Sequence, residues 1–133
     1  MDKPLYHVWA AYAFEAVCYK HIQKIIQALG LVSAESVSTW RTNKVDEQPG
    51  VQIDLLIERN DNAITLCEIK YTCQPFTINA SYLKNLQTKR EVFKAKTKTQ
   101  KQIFMVIISA NGLKEDIHSS TIIDGVVTLE DLF

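Results

Sequence analysis

Two short apolar runs joined by a polar turn constrain this chain most. Val51-Gln-Ile-Asp-Leu-Leu-Ile57 and Ala63-Ile-Thr-Leu-Cys-Glu-Ile-Lys70 are rich in β-branched and aliphatic residues, and Arg59-Asn-Asp-Asn62 lies between them. The pattern predicts an antiparallel hairpin. With its turn centred on Asp61, Asp54 faces Glu68 and Glu58 faces Ile64. Two carboxylates across a ladder, with Cβ atoms roughly 5 Å apart, repel one another unless something positive lies between them. A divalent cation with oxygen ligands meets that need, and the period of two along a strand sets Lys70 beside Glu68. The plainer reading is a half-exposed sheet face on which Lys70 forms ordinary salt bridges. Against it, alternation puts Asp54 on one face with Leu56, Ile64 and Leu66, where a charge needs a reason.

A chain of 133 residues is read as a single domain over 1–133, large enough to bury a core without disulfides. Its three cysteines, Cys18, Cys67 and Cys73, form no C-x-x-C, so reduced thiols are expected rather than a disulfide framework or zinc ribbon. No apolar run reaches bilayer length and the first residues are unlike a signal peptide, so the expectation is a cytoplasmic protein with no membrane partner. Net charge is zero, but seven cations stand between Asn79 and Lys101 against Glu91 alone. Such a stripe suits a phosphate backbone and equally suits a solvated helix face.

Helical spacing of Val8, Tyr12, Tyr19, Ile22, Ile26 and Leu29 predicts one long helix from about Leu5 to Leu29, with Pro4 in its first turn and Gly30 as its stop. Val37 to Thr42 reads as a strand and Asn43 to Gly50 as a polar loop. Asn79 to about Lys96 reads as an amphipathic helix, and Ile103 to Ile108 as a buried strand. Ala110 to Gly125 carries no regular signal, a short strand follows at Val126 and Val127, and Thr128-Leu-Glu-Asp131 is a capping box. Three meandering strands and a helical crossover to a fourth give an α/β fold, a mixed four-stranded sheet flanked by helices.

Glu15 falls on the stripe of Val8, Tyr12, Tyr19 and Ile22, where a carboxylate is costly unless it is paired, hydrogen-bonded or metal-linked. Lys89 shares a face with Tyr82, Leu86 and Phe93, so its head reaches either a phosphate, a carboxylate or solvent past the core. Cys18-x-x-His21 has ligand types but is helical and lacks a second pair, which favours packing. The four glycines form no G-x-x-x-x-G-K-[ST], which excludes a Walker-type nucleotide site.

Glu15 on a first helix, then Asp54, then Glu68-Ile69-Lys70, then a helix with Lys89 resembles the PD-(D/E)XK nuclease superfamily, whose core order is αβββαβ. Trp9-Ala-Ala-Tyr-Ala-Phe-Glu-Ala-Val-Cys18, Val51 to Ile57, Leu66-Cys-Glu-Ile-Lys-Tyr71 and Val127-Thr-Leu-Glu-Asp-Leu-Phe133 look more closely like a restriction-endonuclease-like region at the C-terminus of a group of prokaryotic AAA-type ATPases. The resemblance implies that Asp54, Glu68 and the Ile69 carbonyl bind Mg²⁺ or Mn²⁺, with Glu15 as a further ligand, directly or through water. It implies that Lys70 orients the attacking water and that Lys84, Lys89, Arg90 and Lys94 track DNA. An ATPase domain or chain, and a homodimer, are partners the resemblance leaves open. Ile53 stands where the name-giving motif has proline, and Gln87 has no clear role. The expected function is metal-dependent hydrolysis of DNA phosphodiesters; the competing one is a noncatalytic DNA-binding or ATPase-docking module.

Overall fold

The computed structural model describes residues 4–31, 34–43 and 50–133. Its elements are α1 (Pro4–Lys20), α2 (Ile22–Ala28), β1 (Ala34–Arg41), β2 (Gln52–Arg59), β3 (Ala63–Lys70), α3 (Ala80–Thr97), β4 (Gln102–Ser109), α4 (Ile117–Ile122), β5 (Gly125–Val127) and a closing 3₁₀ turn, Leu129–Leu132. The strands lie in the order β1-β2-β3-β4-β5. β1, β2 and β3 run antiparallel, then β4 and β5 join in parallel. The sheet therefore has five strands rather than the four expected. Asp124, ahead of β5, accepts the Met105 amide at 2.8 Å and docks this added edge onto β4.

Helices cover both faces of the sheet. On one face Phe14, Cys18 and Ile25 from α1 and α2 pack with Leu55, Ile57, Cys67, Val106, Ile108 and Leu132. On the other, Leu86 and Phe93 of α3 and Ile122 of α4 pack on Ile53, Leu56, Ile64, Leu66, Met105 and Ile107. β3 is buried nearly along its length because helices lie above and below it, as expected for a strand central to an α/β sheet.

The hairpin register is the expected one, with Leu55 opposite Cys67 and Glu58 opposite Ile64. Its turn places Asn62 at φ 65°, a left-handed conformation that asparagine tolerates better than most residues. Asn79 caps α3 by accepting the Tyr82 amide at 2.8 Å. The Asp131 carboxylate accepts the Thr128 amide at 2.8 Å, closing the box read from the sequence.

Four expectations need correction here beyond the strand count. The single first helix is two, because it breaks at His21, whose ring nitrogen lies 2.8 Å from the Val17 carbonyl and satisfies a group that the end of α1 leaves open. The stretch 110–125 contains α4, started by Asp116 and Ser119 in a reciprocal cap. The expected apolar stripe is half right: Ile22, Ile26 and Leu29 pack on the core, but its α1 portion is the wet side, with Tyr12 71% exposed and Val8 51%, whereas Ala10, Phe14 and Cys18 are buried. Glu15 is thus a half-buried residue at the margin of an exposed aromatic face. β1 begins earlier than expected, at Ala34, and most of the expected 43–50 loop lies outside the described residues. Among the described residues no helix is long and apolar enough to cross a membrane.

Candidate functional site

β2 and β3 pair from Glu58 and Ile64 as far as Leu55 and Cys67; the same register carried one step further sets Asp54 across from Glu68. There the backbone ladder gives way to side chains. The Asp54 amide donates to Glu68 Oε2 at 3.4 Å, and the Ile69 amide donates to Asp54 Oδ2 at 2.9 Å. Each carboxylate accepts a backbone N–H from the opposite strand, so the strand ends are held by the two acids themselves.

The β1–β2 register explains why Asp54 can do this. Ser38 pairs with Leu56 and Trp40 with Ile53, so two steps on β1 span three on β2. That is a β-bulge at positions 54 and 55, and a bulge re-aims the side chains it carries. Ile53 and Leu56 consequently share the α3 side of the sheet. Asp54 does not lie on the face that alternation assigns to it. It turns into the gap between β2 and β3, where the Ile69 amide is open.

Glu68 is 2% exposed, on the α3 side beyond Ile64 and Leu66. Lys89, one turn along α3 from Leu86, reaches down and forms an ion pair with Glu68 Oε1. Burial and the Asp54 charge nevertheless hold the Glu68 carboxyl above its ordinary range, with Lys89 pulling the other way. One ammonium does not balance two crowded carboxylates.

Lys70 is next on the same strand face, its Nζ 5.0 Å from the centroid of the Tyr82 ring. It shares an open depression of about 490 Å³ with Asn79, Ser81, Tyr82, Asn85 and Lys89. Two hydroxyls flank it. Ser109, paired with Lys70 across β3 and β4, is fully buried, and neither its Oγ nor the Tyr82 hydroxyl has a hydrogen-bond partner among the described residues. Burial, then the charges of Glu68 and Asp54, push the Tyr82 phenol well up, so it remains protonated.

Glu15 approaches from the other side of the sheet. Tyr19, one turn further along α1, has its hydroxyl 3.2 Å from Glu15 Oε1 and 3.2 Å from the Asp54 carbonyl oxygen. The structure thus brings Glu15, Asp54, Glu68, Ile69 and Lys70 to the open end of the hairpin, at the carboxyl end of β3, where open α/β sheets commonly bind ligands. Glu15 is the outermost, joined to the pair through Tyr19.

The donor set suits a hard divalent cation. Two carboxylates are present, and the Ile69 carbonyl leaves the strand on the side of its own N–H, towards Asp54. Among the described residues no three His, Cys, Asp or Glu side chains close around one point. Mg²⁺ needs no such cage, since it usually takes one or two carboxylates and completes its shell with water and substrate phosphate. The Asp54 and Glu68 carboxylates and the Ile69 carbonyl are donors of the type that ion takes, and Glu15 stands off from them, its Oε1 3.2 Å from the Tyr19 hydroxyl.

The basic residues divide. Lys89 belongs to the buried pair, whereas Lys84 and Lys94 are exposed on the outer side of α3, and Arg90 is partly covered, 4.0 Å from Glu91. Cys18 is buried, with its thiol pushed up to about 12 mainly by burial, and His21 caps a carbonyl, so that pair is packing. Tyr19, Tyr82 and Ser109 escaped sequence reasoning. For Tyr19 a signal existed, because it is four residues after Glu15 and so on the same helix face. For Ser109 nothing local marks it, since only the parallel register with β3 brings it to Lys70. No family model, curated protein or solved structure matches this chain.

Proposed function

We propose that this chain is a divalent-metal-dependent nuclease of the PD-(D/E)XK, restriction-endonuclease-like kind, hydrolysing DNA phosphodiesters in the service of an AAA-type ATPase. The observation that carries the reading is the reciprocal clasp of buried Glu68 and half-buried Asp54, an acidic pair with two lysines beside it at a bulge. Acidic pairs of this kind are expensive to keep, and cation binding is the chemistry that makes use of them.

In this reading Asp54, Glu68 and the Ile69 carbonyl hold Mg²⁺, which when bound polarises the phosphodiester and stabilises the departing oxygen. Lys70 has no ion pair among the described residues and rests on an aromatic face; it donates to the attacking water while lowering its pKa. Lys89 draws the Glu68 carboxyl towards its ionised form and orients it from behind. Lys84 and Lys94 follow the backbone without reading bases. In support, with α1 and α2 together taken as the first helix, the order of helix, three strands, helix and strand is that of this fold family, and α4, β5 and the closing 3₁₀ turn are additions.

Plasmid nicking in Mg²⁺ or Mn²⁺ tests it. Asp54→Asn and Lys70→Ala each lower cleavage at least about a hundredfold if they hold these roles, and only Asp54→Asn also loses the metal. A second reading, a noncatalytic DNA-binding or ATPase-docking module, is favoured by one feature, the exposed face of α1 with Leu5, Val8, Trp9 and Tyr12. A folded wild type that neither binds metal nor cuts selects it.

A further inference from the structure

Among the contacts around the acidic pair, one ties the two sides of the sheet together. Tyr19 comes from α1, and its hydroxyl lies equally far from the Glu15 carboxylate and from the main-chain carbonyl of Asp54. A phenol has one proton, and with both acceptors at 3.2 Å it shares that proton between them as a three-centre bond. The charged oxygen is the stronger acceptor. The Asp54 carbonyl lies in the bulge, where the ladder to β3 has already ended.

We propose that Tyr19 is a positioning residue for the cation site: it holds Glu15 against the Asp54 bulge, so that Glu15 can act on the ion or its water shell and the bulge keeps its aim. The inference rests on the metal-site reading above. It goes beyond it in assigning a role to a residue that touches neither metal nor phosphate. Without the hydroxyl, Glu15 has no described partner to hold it near Asp54 and swings to solvent as an exposed glutamate does.

The test is Mn²⁺ titration calorimetry on the full chain for wild type, Tyr19→Phe, Glu15→Gln and the double variant, with thermal melts of each. Outer partners of metal ligands typically contribute 10- to 100-fold in affinity, so each single variant is expected to bind Mn²⁺ about tenfold more weakly. The double variant is expected to be no weaker than Glu15→Gln, because the two residues act as one unit. Melting temperatures stay close to wild type, since phenylalanine keeps the ring. If Tyr19→Phe binds like wild type, if its effect multiplies with that of Glu15→Gln, or if it simply melts early with affinity unchanged, the inference fails and the nuclease reading stands. If Glu15→Gln leaves affinity unchanged, the inference fails in the same way. Absence of Mn²⁺ binding by wild type removes both.

Discussion

Glu68 is nearly solvent-free, faces another carboxylate and is compensated by a single lysine. Removing one partner of such a pair leaves a buried charge without compensation, so Lys89→Met is expected to cost about 3 kcal/mol at neutral pH, read from urea or thermal unfolding. The loss shrinks in acid, where Glu68 takes up a proton. The sign of the wild-type pH dependence follows from the raised folded pKa. Between the ordinary value of 4.5 and the raised one, the folded chain holds a proton that the unfolded chain has released. Stability from that proton is full below the ordinary value and is lost as the pH rises through the raised one. Glu68→Gln keeps the proton-like amide at every pH, so it is expected to match wild type in acid and to gain on it as the pH rises, in the absence of metal. A difference that runs the opposite way would show that Lys89 dominates the environment of Glu68. Neither the burial of Glu68 nor its link to Lys89 was fixed by sequence. Alternation put both side chains on faces that point at the sheet's interior, but the meeting of β3 with α3 depends on how far the crossover helix slides.

At the scale of elements, α1 shows why periodicity can select the wrong side. Val8, Tyr12 and Tyr19 form a good stripe, yet small residues with Phe14 form a second one, and it is Ala10, Phe14 and Cys18 that reach the sheet. Alanine and cysteine allow close approach of helix to sheet, and the single large ring between them, Phe14, fills the core. Phe14→Ala is therefore expected to lose about 3–5 kcal/mol in chemical denaturation, whereas Tyr12→Ser changes stability by no more than about 0.5 kcal/mol. Similar losses at both positions would mean that α1 is rotated from its described setting. The hairpin was more legible than the helix. Strand composition and turn residues determined its register, because a slip of one residue would turn Leu55, Ile57 and Cys67 out of the core. What the alternation could not reveal is the bulge at Asp54, since an extra residue on β2 shows only against its pairing with β1.

For the molecule as a whole, sequence order gave the layers correctly as far as β4. The strand expected at Val126 and Val127 is found, but three residues of β structure carry too little pattern to assign it to the sheet, and α4 leaves no clear signal because Ile117 to Ile122 holds only six residues of modest helix propensity. The long basic stripe also looks different in three dimensions. It splits into a partly covered lysine, Lys89, at the acidic pair, a partly covered Arg90, and exposed cations such as Lys84 and Lys94 on the outer surface of α3. If those exposed cations follow DNA, Lys84→Ala combined with Lys94→Ala flattens the dependence of log affinity on log salt by about 2, with little effect on folding. An unchanged slope in a salt series would leave them as a solvated face. The account's central claim is that Asp54 and Glu68 together make one cation site, and Mn²⁺ titration calorimetry at neutral pH on wild type and Asp54→Asn reads it most directly. The account predicts one ion bound per wild-type chain and binding weakened beyond detection in folded Asp54→Asn; equal binding by the two proteins, or none by wild type, contradicts it.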